Sequence, residues 1–464
     1  MGKDFYNFKQ KLANLLILRY NLDKRREIML NVCDKRFLGK DDSETIQNAV
    51  NAAKNDNDRI VVIPRFNERT GEPLWVISRA ILLPNNVTIY LSDCHIVLAD
   101  GVFDNIFRNE NAYTEAGVSP FGEQYGIKII GMGNAVLDGG KDNGLREQLW
   151  TPDKPNPRTG CLILLVNVRD YEIKDFACVQ MRYWAINQIC CRKGYISNLH
   201  FDAKIRHPNQ DGINFRIGCN QITVENITGY TGDDTIALTA LPFWDAELLV
   251  KGRSPDIHDI TIRNVRSSTN CTVVALRNTD GAKLYNITIE NITGVDDGTH
   301  KPWGTLRIGE NNWYKNRPAE LGEIDRLTIS NIRSEVNGCI FLSAALSNST
   351  ITNVFAYGKS VYAISTYQSV QKFWETNCDI KPGVSMKNVV ISKVFYSGSA
   401  EYKDNLEDRY MELTFPGEPF SGCAIDFRCL RQTDTLNNVA IKDVFVNDDR
   451  EKLLLKEGYC LSIK

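Results

Sequence analysis

The sequence contains no apolar run near the roughly 20 residues that a membrane-spanning helix needs; the best early one, Leu15 to Leu18, stops at Arg19. No transmembrane helix is expected. There is also no excess of one charge: 55 Lys and Arg stand against 57 Asp and Glu, a formal net charge of -2, so the broad field that would draw nucleic acid or an anionic membrane is missing. Neither partner is expected. The N-terminus, Met1-Gly2-Lys3-Asp4-Phe5-Tyr6, lacks a secretory apolar region, and Tyr6 stands where a myristoylation signal requires Ser or Thr. A cytoplasmic location follows as the expectation.

Paired cysteine spacings are missing too. Of the 13 cysteines, Cys161, Cys178, Cys219, Cys271, Cys339 and Cys423 lie in or beside apolar strand-like runs, which suits reduced core thiols rather than a disulfide framework. Cys190-Cys191 is no zinc pair, because strand alternation sends adjacent side chains to opposite faces. Phosphate-loop and GxSxG signatures are absent, and Ile127 to Gly133 only imitates a dinucleotide turn, since Val136 replaces the third glycine and Leu137-Asp138-Gly139-Gly140 continues as a turn. No cofactor or metal is expected.

What the chain does have is repetition. A β-branched phrase closing on Asn, Asp or Lys plus an apolar residue begins at Ile173, Ile196, Val224, Ile262, Ile289, Ile329, Ile351, Ile391 and Ile441. Its shortest spacings are 22 to 28 residues, and the longer ones, 38 to 50, fit coils carrying loop insertions. Short β-branched runs at this period, parted by Gly, Asn and Asp turns, predict an all-β right-handed parallel β-helix of the pectate-lyase-like type. Leucine-rich repeats share the period but want fixed Leu and intervening helix. The repeated Asn is assigned a structural role, tolerating a left-handed turn and bonding the backbone of the next coil. Asp41 and Glu44 stand in capping-box spacing before Ile46, Ala49, Val50 and Ala53, which predicts a helix plugging the open end of the solenoid. Residues 1–38 read as a helical extension, with Leu12, Leu15, Leu16, Tyr20 and Leu22 on one face, and residues 39–464 as the β-helix.

The carboxylates carry the chemistry. Asp211, in Asn209-Gln210-Asp211-Gly212, lies 22 and 23 residues before Asp233 and Asp234, in Gly232-Asp233-Asp234, and that separation is one coil. Strands of adjacent coils lie about 4.8 Å apart, so the three acids are expected to share one patch. Crowded, partly desolvated carboxyls cannot all ionise, and a protonated acid beside a charged base is what glycoside hydrolysis requires. Asp280-Gly281 and Asp297-Gly298 are assigned to turns alone.

The blocks Arg206 to Ile213, Ile222 to Ile227 and Thr231 to Leu238 resemble the NTDG and GDD blocks of family 28 glycoside hydrolases, the polygalacturonase-like enzymes. Asp41 to Ala49, Val62-Ile63-Pro64, Asn86 to Ile89 and Ile129 to Gly133 are similar to that family's N-terminal half, and Leu306-Arg307-Ile308-Gly309 to its RIK block. The resemblance implies Asp233 as general acid, Asp211 and Asp234 holding and activating the attacking water, Arg307 binding substrate and Asn209 orienting a hydroxyl or the water. It also implies inversion at the anomeric carbon. Two positions depart from the family. Asn270-Cys271-Thr272-Val273 lacks the GHG histidine, for which His207, Arg277 and His300 are the candidate substitutes, and Gly309 replaces the RIK lysine. Trp184, Trp303, Trp313 and Tyr314 are expected either to stack on sugars or to pack loops.

The expected function is hydrolysis of a pectin-type or other complex oligosaccharide. It is expected to run from chain ends, because insertions after Leu238 and Ile308 can wall off the groove. The missing lysine suggests a neutral sugar near Arg307, or a carboxylate held elsewhere. A lyase or epimerase, and a non-catalytic carbohydrate-binding homologue, are the alternatives. Oligomeric state is not read from the sequence.

Overall fold

The computed structural model describes residues 29–54, 59–141, 160–203, 209–299, 304–309, 316–366, 383–399, 422–428 and 430–464. They wind as a right-handed parallel β-helix. The reason is visible in one column. The first residues of all nine repeat phrases, from Ile173 through Ile196, Val224 and Ile262 to Ile441, pair in register from coil to coil. Each is no more than 1% exposed. Like therefore stacks on like, and burying each such side chain is worth about 1.5–3 kcal/mol. The long spacings are single coils with insertions, as the repeat predicts.

The column continues upstream through Ile129, Ile89 and Val61 to Leu30. This moves the boundary expected at residue 38, because Leu30–Asn31 already forms a strand paired with Ile60–Ile63. The helical reading of the chain before residue 29 falls outside the described residues. Helix α1, Asp42–Ala53, buries Ile46, Ala49, Val50 and Ala53 against the first strands of the solenoid. Asp41 caps it by accepting from the Glu44 N–H at 2.8 Å. Glu44 reaches back to the Lys40 N–H at 2.8 Å rather than to that of Asp41, a capping box lengthened by one residue.

The Asn ladder needs one correction. Asn198, Asn226, Asn264 and Asn291 do adopt left-handed φ of 54° to 59°. Their side chains, however, bond each other instead of the backbone: Asn226 Nδ2 donates to Asn198 Oδ1, Asn264 to Asn226 and Asn291 to Asn264, at 2.9 to 3.2 Å. In-register stacking places identical amides one coil apart, so each donates down the column. The cysteines named above are all buried and free. Cys190 and Cys191 part as alternation predicts, Cys191 joining the main core and Cys190 a side cluster with Leu248 and Val250. Ile127 to Gly140 folds as strand, turn and strand.

Candidate active site

One sheet of the solenoid carries the acids. Its strands are β1, Ile186–Ile189; β2, Ile213–Arg216; β3, Ile236–Ala240; β4, Thr272–Asn278; and β5, Gly304–Ile308. Ile213, Ile236, Val274 and Leu306 stack inward, as do Phe215, Leu238, Leu276 and Ile308. Alternation therefore turns Asn214, Ala237, Ala275 and Arg307 outward in one column, and Arg216, Thr239 and Arg277 in the next.

The turns before β2 and β3 present the carboxyls. Asn209 supplies a left-handed residue (φ 65°), and Gly212 is required because a Cβ there would stand 2.5 Å from the Thr235 carbonyl oxygen of the next coil. The Gly212 N–H donates to the Asp234 carbonyl at 3.1 Å, so Asp211 and Asp234 are stacked neighbours, as the 23-residue spacing predicts. Asp233 is held at both oxygens, by the Asn209 N–H at 2.8 Å and the Asp234 N–H at 2.9 Å. Asp211 Oδ2 accepts from Asn214 Nδ2 at 2.9 Å, while its buried Oδ1 has no partner among the described residues.

Asp211, Asp233 and Asn209 line one cavity with Trp184, Asn214, Arg216, Leu241, Trp244 and Arg277. Part of the same lining is a stack held by charge. Arg216 lies over Trp184 at 4.7 Å and Trp244 at 5.9 Å, and its Nε pairs with Asp245 Oδ2 at 2.7 Å. Asp245 closes helix α2, Pro242–Asp245, so the insertion after β3 is anchored to the sheet by a buried ion pair. Trp184, 4% exposed, carries Arg216 and is thereby a packing residue of this wall.

Arg307, expected to bind substrate, is only 2% exposed and is not among the residues that line the cavity; its Nη2 meets Asp234 Oδ2 at 3.3 Å. Ala275 and Ala237 precede it in its column, one and two coils back. Asp234 also accepts from the Thr272 N–H at 3.1 Å and from the Thr272 hydroxyl. It is buried and is not among the residues that line the cavity. Where the family histidine is missing, Cys271 stands one coil above Asp233, and its sulfur and the oxygens of Asp233 and Asp234 lie within 4.8 Å of one another. Asp211 stands outside that group. Sulfur and two carboxylates suit a soft divalent ion, but the Arg307 guanidinium beside Asp234 opposes one. Arg277, one of the candidate substitutes, lines the cavity. His207, His300, Trp303, Trp313 and Tyr314 lie outside the described residues.

Burial, and then the charges of Asp233 and Asp234, push the Asp211 carboxyl well above the usual range. Asp233 is pushed up by burial and by Asp234, against the backbone N–H groups that favour its ionised form. Burial and the same two carboxylates drive the Cys271 thiol far up, so it stays protonated. The Asp211 shift has a consequence for stability. With its folded value above the ordinary 3.8, the folded chain binds more protons than the unfolded one as pH rises past that point, so its stability falls. Asp211→Asn is accordingly expected to match the wild type near pH 4 and to melt at a higher temperature than it at pH 7, and thermal melts across that range test this.

No family model matches the chain, and no curated protein matches it. Solved structures do. The chain is similar to PfbA, a surface adhesin of Streptococcus pneumoniae, at 13% identity and a TM-score of 0.55 over 94% of this chain and 93% of that one. It is similar to a tailspike protein variant of E. coli bacteriophage HK620 in complex with a pentasaccharide, at 12% identity and a TM-score of 0.55 over 92% and 73%. An exopolygalacturonase from Thermotoga maritima aligns at 13% identity and a TM-score of 0.43 over 78% and 91%. At these identities the likeness is one of fold.

Proposed function

We propose that the protein is a glycoside hydrolase acting on an oligosaccharide of pectin type or similar complexity, with inversion at the anomeric carbon. The observation that carries this reading is that Asp211 and Asp233, from adjacent coils, line one cavity together with Trp184, Trp244, Arg216 and Arg277. In the reaction Asp233 gives its proton to the glycosidic oxygen as the bond to the anomeric carbon breaks. Asp211 takes a proton from the water that attacks the opposite face. Asp234, tied to Arg307 and Thr272, keeps Asp233 in place through the N–H that it donates. A screen of aryl glycosides and pectic oligosaccharides with reducing-sugar readout tests the activity, and NMR of the first-formed sugar tests the anomer. Turnover of none of these substrates would overturn the reading.

The anchored insertion supports action from chain ends. Leu241 and Trp244 close one side of the cavity, and the Asp245–Arg216 pair fixes them there. A closed side admits a terminus better than the middle of a polymer. The expected product course is steady release of one small sugar; an early ladder of intermediate oligomers would exclude it. The likeness to an adhesin, together with Cys271 in place of histidine, favours as a second reading carbohydrate binding without turnover. Under that reading the wild type binds oligosaccharide without turning it over, and Asp233→Asn changes affinity alone.

A further inference from the structure

The stretch of chain before β4 is fastened to the stretch before β3. The Asn270 N–H donates to the Thr231 carbonyl at 3.3 Å, the Thr235 N–H to the Thr272 carbonyl at 3.0 Å, and the Thr269 hydroxyl to the Asp233 carbonyl. The same hydroxyl accepts from the Cys271 N–H at 3.0 Å, which fixes the backbone that carries the thiol. Cys271 is 7% exposed and is not among the residues that line the cavity. Its sulfur and the carboxylate oxygens of Asp233 and Asp234 lie within 4.8 Å of one another, and the thiol is within hydrogen-bonding reach of both acids. Other core thiols turn to the backbone: Cys191 donates to the Leu165 carbonyl at 3.4 Å and Cys219 to that of Gln188 at 3.3 Å.

A protonated thiol has one proton to give, and its two acceptors differ in their other donors. Asp234 already holds the Thr272 N–H, the Thr272 hydroxyl and the Arg307 guanidinium. Asp233 holds the backbone N–H groups of Asn209 and Asp234. When Asp233 gives its proton up, the new charge is the one with fewer donors, and a rotation about one side-chain bond brings the S–H to it. We propose that Cys271 is a positioning residue for Asp233, a donor that turns to its carboxylate as the proton leaves and steadies the charge left behind. A thiol is a weak donor, and a strong one would ionise Asp233 before substrate arrived. The other charged and titratable groups here are Asp211 from the turn before β2 and Asp234 beside Asp233, with Arg307 of β5 acting on Cys271 and Asp234 and Arg277 of β4 acting on Asp211. The proposal concerns the site of the hydrolase reading but needs no substrate, so the two fail separately.

The test is a pH titration of the full chain followed by carboxyl-carbon NMR. It is made in an Asp211→Asn background, so that Asp233 does not share its proton, and the Asp233 signal is assigned by its loss in a further Asp233→Asn chain. Cys271→Ala removes a donor to the ionised form, so the Asp233 midpoint is expected to rise by about 0.5 to 1 pH unit. Cys271→Ser keeps a donor and is expected to hold the midpoint at or below that of the Asp211→Asn chain. Packing alone predicts otherwise: both substitutions would cost stability and neither would move the midpoint. If Cys271→Ala does not fold, the infrared S–H band decides, since the band lost in Cys271→Ser must move as the pH crosses the Asp233 midpoint. A midpoint unmoved in Cys271→Ala, a serine chain that titrates with the alanine chain, or an S–H band indifferent to that pH overturns the proposal, whatever the outcome of the turnover screen.

Discussion

Asp211→Asn and Asp233→Asn are each expected to lower turnover of a natural glycosidic linkage by about 100- to 10,000-fold, the range that positioned acid–base groups supply. The two variants part on a substrate whose leaving group needs no proton. A dinitrophenyl glycoside is expected to restore most of the rate in Asp233→Asn, because the missing acid is no longer required, and none of it in Asp211→Asn, because water still needs its base. The comparison matters because the free site distributes its proton differently. Asp211 has one side-chain donor and an unpartnered oxygen, whereas Asp233 has two backbone donors, so burial leaves the shared proton mainly on Asp211. The pair titrates as a unit, so the acid role proposed for Asp233 requires the shared proton to lie on it when substrate is bound. Rescue of Asp211→Asn instead would exchange the two roles, and near wild-type rates in both would remove them.

The parts of this site that were legible in the sequence are those that repeat. One residue per coil, from Ile173 to Ile441, betrayed the solenoid because stacking demands the same volume at the same register. The acids followed from the same period, since 23 residues carry the chain once around from Asp211 to Asp234. Asn214 and Arg216 were within reach of that logic: counting three and five residues on from Asp211 along an alternating strand places both on the outer face. Asp245 and Trp244 were not, because an insertion has no period and its docking depends on a partner 29 residues away. Cys271 was assigned to the core on its apolar neighbours, and it is buried, but against two carboxylates rather than hydrocarbon. Arg307 entered only through the resemblance of Leu306 to Gly309 to a family block, which says nothing of how deep its side chain lies, and it is 2% exposed. Its side chain meets Asp234, two coils away, a contact that no motif expresses.

That depth makes Arg307 the residue whose loss is expected to cost the fold most. Its side chain and that of Asp234 are each 2% exposed, and neither residue is among those that line the cavity. Removing one member of a buried ion pair strands the other charge in a poorly polarisable interior, a cost of about 3–5 kcal/mol, which exceeds what the pair contributes when intact. Arg307→Ala is therefore expected to lower the midpoint of urea unfolding by that amount of stability. Asp234→Asn in the same chain should recover much of the loss, since an amide keeps the Thr272 contacts without an unpaired charge. A residue that bound substrate would behave otherwise: its removal would raise KM, leave the unfolding midpoint in place and gain nothing from the second substitution. The double-mutant cycle thus separates support from recognition, and a coupling energy below about 0.5 kcal/mol, the level at which independent sites add, would return Arg307 to the binding face.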